Sequence, residues 1–301
     1  MSLPFDIVDV FTDRAYAGNP LAVVHDAHTL TAGQMQAIAA EFGLSETVFP
    51  LPPTTSEATY RLRIFTPTRE LPFAGHPSIG AAWVLARNEL IPGGEVVQEC
   101  GAGLLSVEVD GGGARVTGGP PVVGEELDAA LLAAAVGLDP YDVDGAAAPG
   151  VAGAGVNYLF LLVRPDAVGR AVCDVPAVRA VTEDLTGLVV CAVDPPARDV
   201  HLRMFAPGSG VDEDPATGSA AVALGVFLAD RGLVAADGPH GFVVHQGAEI
   251  GRPSTLHAWV RTESGAAVAT WVGGAVQPVA RGELVALPDA PDARPVTWPN
   301  A

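Results

Sequence analysis

The stretch Gly75-His76-Pro77-Ser78-Ile79-Gly80-Ala81-Ala82 has a counterpart in Asp214-Pro215-Ala216-Thr217-Gly218-Ser219-Ala220-Ala221. Each places a proline, a glycine and small residues at the predicted start of a long apolar helix. Helices that are apolar on all sides are usually buried, so each stretch predicts a central helix wrapped by a sheet. A repeat with a period of about half the chain indicates two similar domains, and small-molecule sites favour the cleft between domains.

The doubling extends to the strands that precede each helix. Asn19-Pro20-Leu21-Ala22-Val23-Val24 recurs as Asn157-Tyr158-Leu159-Phe160-Leu161-Leu162, and Arg63-Ile64-Phe65 recurs as Arg203-Met204-Phe205. Gly118-Gly119-Pro120-Pro121 is the strongest boundary signal in the chain. We therefore predict an α+β fold with two pseudo-symmetric halves, each a curved, mostly antiparallel sheet around a central helix. The predicted bounds are 1–118 and 119–287, with the last strands free to return to the first half, and a loose tail at 288–301.

Composition excludes several classes of function. The 301 residues are 49% hydrophobic and carry a net charge of −19, which favours folded domains and argues against nucleic-acid and anionic-membrane partners. No apolar run is long enough to span a membrane, and the start of the chain lacks a signal-peptide pattern, so a cytoplasmic location is expected. Cys100, Cys173 and Cys191 are too few for a disulfide framework and lack the spacing of metal ligands, so no metal is expected.

All 16 basic residues are arginines. Without a lysine amine the chain cannot form a pyridoxal-phosphate Schiff base or a lysine imine with a substrate. It also cannot form a P-loop, whose motif requires lysine.

The two helix starts predict a site for an anionic small molecule. A helix N-terminus has unpaired N–H groups and a partial positive charge, and Gly75 and Gly218 let a ligand approach the backbone. Such a pair would bind a carboxylate without lysine or arginine. The alternative is that Gly80 and Gly218 only permit close helix packing.

Glu46 lies in a predicted strand, Ser45-Glu46-Thr47-Val48-Phe49, on the same face as Val48. A carboxyl group on an apolar face is desolvated, which raises its pKa towards the range useful for proton transfer. The alternative is an exposed glutamate at a strand end. The matching strand, Leu188-Val189-Val190-Cys191-Ala192, has no acid, so Glu46 breaks the repeat.

Three more polar residues lie at the helix starts. His76 suits proton relay near neutral pH, or it caps its helix. Asp214 is either a helix cap or an acid whose ionisation Asp212 and Glu213 would hinder. Ser219 either donates to a ligand oxygen or packs.

At these residues the chain resembles the PhzF family of phenazine-biosynthesis isomerases. The resemblance implies the diaminopimelate-epimerase fold, with the site between two similar halves. It also implies cofactor-independent proton transfer on a small anionic substrate, and often a homodimer. The motifs that carry it are Asp9-Val10-Phe11-Thr12 with Gly18-Asn19-Pro20, Leu44-Ser45-Glu46-Thr47, Phe73-Ala74-Gly75-His76-Pro77 and Glu213-Asp214-Pro215-Ala216-Thr217-Gly218-Ser219-Ala220.

Residue by residue, Glu46 matches the family's general acid/base, and His76 and Asp214 match residues that assist the proton transfer. The expected substrate-binding residues are Gly75, Gly218, Ser219 and Asn19. Related racemases use a cysteine at each helix start, and this chain has none there. We therefore expect a one-base isomerase that moves a proton between carbons. The alternatives are an epimerase that uses Glu46 and Asp214 as opposed carboxylates, and a catalytically silent binding protein on the same fold.

Overall fold

The first half is a ring of strands around one central helix in the computed structural model, which describes residues 2–194, 198–209 and 211–289. Neighbouring strands pair around this ring, and the end of a strand from the second half closes it. Its elements are β1 (Leu3–Val10), β2 (Asn19–Val24), a 3-10 turn (Ala27–Thr29), α1 (Ala32–Phe42), β3 (Glu46–Leu51), β4 (Tyr60–Phe65), β5 (Glu70–Leu71), α2 (Gly75–Arg87), β6 (Gly94–Cys100), β7 (Gly103–Val109) and β8 (Gly113–Thr117).

The second half repeats this plan as a curved sheet around its own central helix. Its strands are β9 (Pro121–Glu126), β10 (Gly150–Ala154), β11 (Asn157–Leu162), β12 (Leu188–Asp194), β13 (Asp199–Ala206), β14 (Val211–Asp214), β15 (Gly238–Gln246), β16 (Ser254–Glu263) and β17 (Ala266–Leu284). Its helices are α3 (Ala129–Ala135), α4 (Pro165–Val168), α5 (Val175–Val181) and α6 (Gly218–Asp230), with 3-10 turns at Pro140–Asp142 and Pro207–Ser209.

Strand pairing shows that the two halves share one topology. In the first half, β2 pairs in parallel with β3 and β4 with β6; in the second half, β11 pairs in parallel with β12 and β13 with β15. The other pairs in both halves are antiparallel, as predicted. The α+β fold of two similar halves is therefore confirmed.

Strand β17 joins the halves. It pairs first with β16, then with β8 over Trp271–Ala275, and finally with β1 over Val276–Leu284. It is one continuous strand although glycines and a proline interrupt its apolar pattern. Pro278 is tolerated because it lies where the register shifts, opposite Val8.

Both central helices are buried, as their apolar sequences predicted. Every residue of α2 from Gly75 to Leu85 is buried, and so is α6 from Ala220 to Ala229. Their side chains belong to one hydrophobic core that spans both halves. This shared core holds the two helix starts in fixed positions relative to each other.

Several local predictions need correction. The stretch from Val96 to Val109, whose sequence predicts one strand, is a hairpin, because Gly103 at φ 108° starts the return strand β7. Strands β9 and β10 were not predicted, since β9 is exposed along most of its length and shows no alternation. Of the predicted tail, the Pro288 carbonyl accepts a hydrogen bond from Gln34 at 2.7 Å, and residues 290–301 lie outside the described residues.

None of the described helices is long and apolar enough to cross a membrane.

Candidate active site

Glu46 is a largely buried acid of the first half whose charge interacts with that of Asp214 in the second half. It is the first residue of β3, opposite Leu21 of β2, and its side chain is 16% exposed. Burial, helped by the negative charge of Asp214, raises its pKa to about 8. Glu46 is therefore mainly protonated at neutral pH, and the alternative of an exposed strand-end glutamate is wrong.

His76 lies beside Glu46. It is the second residue of α2, and its Nε2 is 3.4 Å from Oε2 of Glu46. Burial lowers the pKa of His76 to about 3, although a backbone hydrogen bond to Pro20 acts in the opposite direction. Proline has only a carbonyl to offer, so the neutral ring donates to it through its other nitrogen. Nε2 is then an acceptor that faces the proton of Glu46.

Asp214 reaches the same site from the second half. Its Oδ1 accepts from Asn19 Nδ2 at 3.0 Å, and its Oδ2 accepts from Thr217 Oγ1 at 2.6 Å. Burial raises its pKa to about 6; the two hydrogen bonds oppose this shift, and Glu213 adds a smaller effect in the same direction as burial. Asp214 is thus ionised at pH 7 while Glu46 is protonated, a division typical of acid/base sites.

Gln246, which was not predicted as a site residue, holds the Asp214 loop. Its Oε1 accepts from the Thr217 N–H at 3.0 Å, and its Nε2 donates to the Asp214 carbonyl at 2.8 Å and to Thr217 Oγ1 at 3.0 Å. Because Thr217 Oγ1 accepts from Gln246, its own hydrogen is directed to Asp214. No sequence signal distinguishes this glutamine from others near strand ends.

The two helix starts meet at their glycines. A Cβ on Gly75 would lie 3.3 Å from the Ser219 nitrogen and 3.4 Å from the Gly218 Cα. In the described part of the chain, neither α2 nor α6 has a side-chain cap, so N–H groups of both first turns remain available. Two such termini side by side form an anion-binding site.

Ser219 and Tyr158 form a hydroxyl pair at this junction. Ser219 Oγ lies 2.7 Å from the Tyr158 hydroxyl. Burial raises the pKa of Tyr158, and the charges of Asp214 and Glu46 add to this shift. Tyr158 was not predicted as a site residue, although the match of Asn157-Tyr158 to Asn19-Pro20 places it there.

Asn19 is fully buried and links the two halves. Its Nδ2 donates to Asp214 and, at 2.9 Å, to the Ala216 carbonyl. Among the described residues, six buried side-chain nitrogen or oxygen atoms lack a hydrogen-bond partner, and three of them are Asn19 Oδ1, Glu46 Oε2 and His76 Nε2. Unpaired buried polar atoms are costly, so their concentration at one place marks a functional site.

The capping alternatives are wrong for both helices. The N-cap residues are Ala74 for α2 and Thr217 for α6. Asp214 ends β14, upstream of the cap, and His76 lies inside the first turn. The packing alternative applies to Gly80, where a Cβ would lie 2.6 Å from Leu21 Cδ2 and 2.8 Å from Val10 Cγ2. Gly218 is also closely packed, since a Cβ there would lie 3.1 Å from Phe11 Cζ.

The strand registers reveal a second break in the repeat. Leu188 in β12 occupies the position of Glu46, and Leu71 in β5 occupies the position of Asp214. Each half therefore supplies one acid where the other has leucine, and only the difference at Glu46 was predicted from the sequence.

Residues 2–194, 198–209 and 211–289 offer neither a cluster of metal ligands nor a cysteine at the helix starts. No group of three or more His, Cys, Asp or Glu is arranged to hold a metal ion. Cys100, Cys173 and Cys191 are free thiols away from the helix starts.

The chain matches the model of the phenazine biosynthesis-like PhzC/PhzF family over residues 8–282. It is 36% identical to an uncharacterized isomerase of Mesorhizobium japonicum, over 92% of this chain and 97% of that one. It is 35% identical to the trans-2,3-dihydro-3-hydroxyanthranilate isomerase of Pseudomonas aeruginosa, over 84% and 88%.

Solved structures agree with this match. A predicted epimerase from Pseudomonas aeruginosa superposes with a TM-score of 0.77 at 35% identity and covers 94% of this chain and 99% of its own. A PhzF-family protein of Bacillus anthracis shares the fold, with a TM-score of 0.86 at 24% identity over 95% of this chain and 100% of its own. The chain therefore belongs to the phenazine biosynthesis-like PhzC/PhzF family and is a PhzF-like isomerase.

Proposed function

We propose that this isomerase moves a proton between two carbons of a small carboxylate-bearing substrate, without a cofactor, and that Glu46 is its general acid/base. The observation that carries the proposal is the pairing of Glu46 with Asp214, whose pKa values of about 8 and about 6 differ within one site. The substrate class follows from the uncapped helix starts and from the relatives named as isomerases of trans-2,3-dihydro-3-hydroxyanthranilate.

The reaction begins when ionised Glu46 takes a proton from a carbon made acidic by a neighbouring unsaturated or carboxylate group. The electron pair of the broken C–H bond shifts along the conjugated system. N–H groups near Gly75 and Gly218 stabilise the developing negative charge. The carboxyl proton of Glu46 exchanges with solvent, and Glu46 then donates a proton to a different carbon, so atoms and charge balance without a further acid.

The neighbours of Glu46 have separate roles in this proposal. Between turnovers the neutral His76 Nε2 is a hydrogen-bond acceptor for the protonated Glu46 and does not take up its proton, and Ser219 donates to the substrate. Asp214 keeps the pKa of Glu46 high, so the returned proton is transferred by an acid of suitable strength.

An epimerase with two opposed carboxylates is the second candidate, because Asp214 lies in the same site. Against it, both oxygens of Asp214 accept hydrogen bonds from Asn19 and Thr217, which hold it as a fixed charge. The carbon that carries deuterium in the product distinguishes the isomerase from the epimerase. In D₂O an isomerase places deuterium on a new carbon, and an epimerase places it on the carbon that lost its proton.

The central experiment compares the wild type with Glu46→Gln on trans-2,3-dihydro-3-hydroxyanthranilate in D₂O, with product and label followed by mass spectrometry. We expect turnover with one deuterium in the wild type and a loss of at least 1,000-fold in the variant, a rough figure for losing the acid/base group. Glu41→Gln, on the exposed side of α1, is the matched control and should keep full activity. Full activity of Glu46→Gln contradicts the mechanism. If the wild type is inactive, a screen of cyclic amino- and hydroxy-acids tests the wider substrate class.

We also propose that the protein acts in the cytoplasm as a homodimer, with neither nucleic acid nor membrane as a partner. The family resemblance supports the dimer, and the net charge of −19 argues against polyanionic partners. Light scattering at micromolar concentration tests the dimer, since a mass near 30.7 kDa would indicate a monomer.

A further inference from the structure

Tyr158 is a buried tyrosine whose hydroxyl points to the active site. It lies near the start of β11, is 1% exposed, and packs in the core shared by the two halves. Its hydroxyl lies 2.7 Å from Ser219 Oγ. The mechanism above gives this residue no part.

The internal repeat gives the contact a counterpart. Pro20 corresponds to Tyr158, and His76 corresponds to Ser219, the second residue of each central helix. In the first half the His76 ring bonds to the Pro20 backbone. In the second half Ser219 bonds to a side-chain hydroxyl instead. The same two positions are thus hydrogen-bonded to each other in both halves. Only in the second half are both partners hydroxyl groups, so only there can one side chain orient the hydrogen of the other.

Burial decides the direction of the hydrogen bond. Within the described residues, Ser219 is the only recorded hydrogen-bond partner of the Tyr158 hydroxyl, and leaving a buried O–H donor unpaired is costly. Burial raises the pKa of Tyr158, the hydrogen bond with Ser219 opposes this shift, and the charges of Asp214 and Glu46 add to it, so on balance Tyr158 keeps its proton. Tyr158 therefore donates to Ser219 Oγ. Ser219 is only partly buried, and its own hydrogen is left for the cleft.

We propose that Tyr158 is a positioning residue that orients the Ser219 hydroxyl as a hydrogen-bond donor to the anionic group of the substrate. This rests on the proposed function insofar as Ser219 faces a carboxylate-bearing substrate. The assignment explains why a polar hydroxyl lies on a strand whose later residues, Leu159 to Leu162, are all apolar.

The test is a double-mutant cycle that reads binding rather than turnover. Dissociation constants for anthranilate, a non-isomerisable aromatic carboxylate, are measured by calorimetry for wild type, Tyr158→Phe, Ser219→Ala and the double variant. We expect Tyr158→Phe to weaken binding by about fivefold to tenfold, the worth of one hydrogen bond. In the Ser219→Ala background the same change should have no further effect. Tyr60→Phe is the matched control, because Tyr60 is also buried but its hydroxyl bonds to Gln98 at 2.9 Å. Tyr60→Phe should change the dissociation constant by the same factor in the wild-type and the Ser219→Ala proteins.

A second measurement needs no ligand. With ¹³Cζ-labelled tyrosine, Ser219→Ala should move the Tyr158 resonance and leave the Tyr60 resonance in place. An unmoved Tyr158 resonance overturns the inference, whatever the substrate. Additive effects in the cycle also overturn it, even if the wild type isomerises trans-2,3-dihydro-3-hydroxyanthranilate. Coupling in the cycle supports it, even if that compound is not a substrate. A wild type that neither binds anthranilate nor turns over any carboxylate contradicts both proposals.

Discussion

The Nε2 atom of His76 lies 3.4 Å from Oε2 of Glu46, and neither atom has a hydrogen-bond partner among the described residues. Burial keeps the imidazole neutral and the carboxyl protonated, with pKa values of about 3 and about 8. An ion pair would need the opposite protonation states, so this contact is an acid that faces a neutral acceptor. The geometry suits a group that must release and recover one proton.

The activity should depend on the ionisation of Glu46. If the ionised form starts the reaction, kcat/KM rises with pH through an apparent pKa near 8. Asp214→Asn removes a negative charge that raises this pKa, so the midpoint should move to lower pH. A pH–rate profile of each variant measures the shift, with Glu41→Gln as the control that should not move it. An unchanged midpoint in Asp214→Asn would show that the two carboxyls are not coupled.

Glu46→Gln should stabilise the protein at alkaline pH. The unfolded carboxyl ionises near 4.5 and the folded one near 8, so the stability present below pH 4.5 is lost as pH rises towards 8. Glutamine does not ionise and avoids this loss. The gain over wild type should be small at pH 4.5 and reach up to about 5 kcal/mol at pH 9. Urea denaturation at both pH values measures it, and a gain independent of pH would contradict the raised pKa.

Two glycines of α2 should give different phenotypes when changed to alanine. At Gly75 the new methyl group meets backbone of α6 at 3.3 Å, so the helix starts must separate slightly and substrate binding should weaken. At Gly80 it meets Leu21 and Val10 at 2.6 and 2.8 Å, so the core is overpacked and stability should fall by about 1–3 kcal/mol. KM and the melting temperature of both variants test this. A Gly75→Ala variant with an unchanged KM would exclude the helix junction as the anion site.

The two halves offer a matched pair of ion pairs. Arg203 bonds to Glu213 through two nitrogens at 2.8 and 2.6 Å, and Arg63 bonds to Glu70 at 2.7 and 2.6 Å. The side chains of the first pair are 8% and 9% exposed, whereas Glu70 is 42% exposed. Glu213→Gln should cost about 3–5 kcal/mol of unfolding free energy, and Glu70→Gln less than about 1 kcal/mol. Chemical denaturation measures both, and equal losses would contradict the role of burial.

Local sequence patterns predicted much of this fold. The apolar runs that follow Gly75 and Gly218 predicted the central helices, because only a buried helix tolerates apolar residues on all sides. Strand β9 escaped prediction because its exposed side chains leave no alternating pattern. Gln246 escaped because its role depends on the Asp214 loop, which the fold brings to it from more than 30 residues away.

The sequence by itself determined that the chain is doubled, that lysine chemistry is excluded, and that Glu46 breaks the repeat. Those properties belong to residue types and their order, and they need no coordinates. Only the tertiary structure decided that Leu71 stands where Asp214 does in the other half, and that both acids share one site. It also decided which acid holds the proton at neutral pH. A pKa depends on burial and on neighbouring charges and donors, and these come from segments that are distant along the chain.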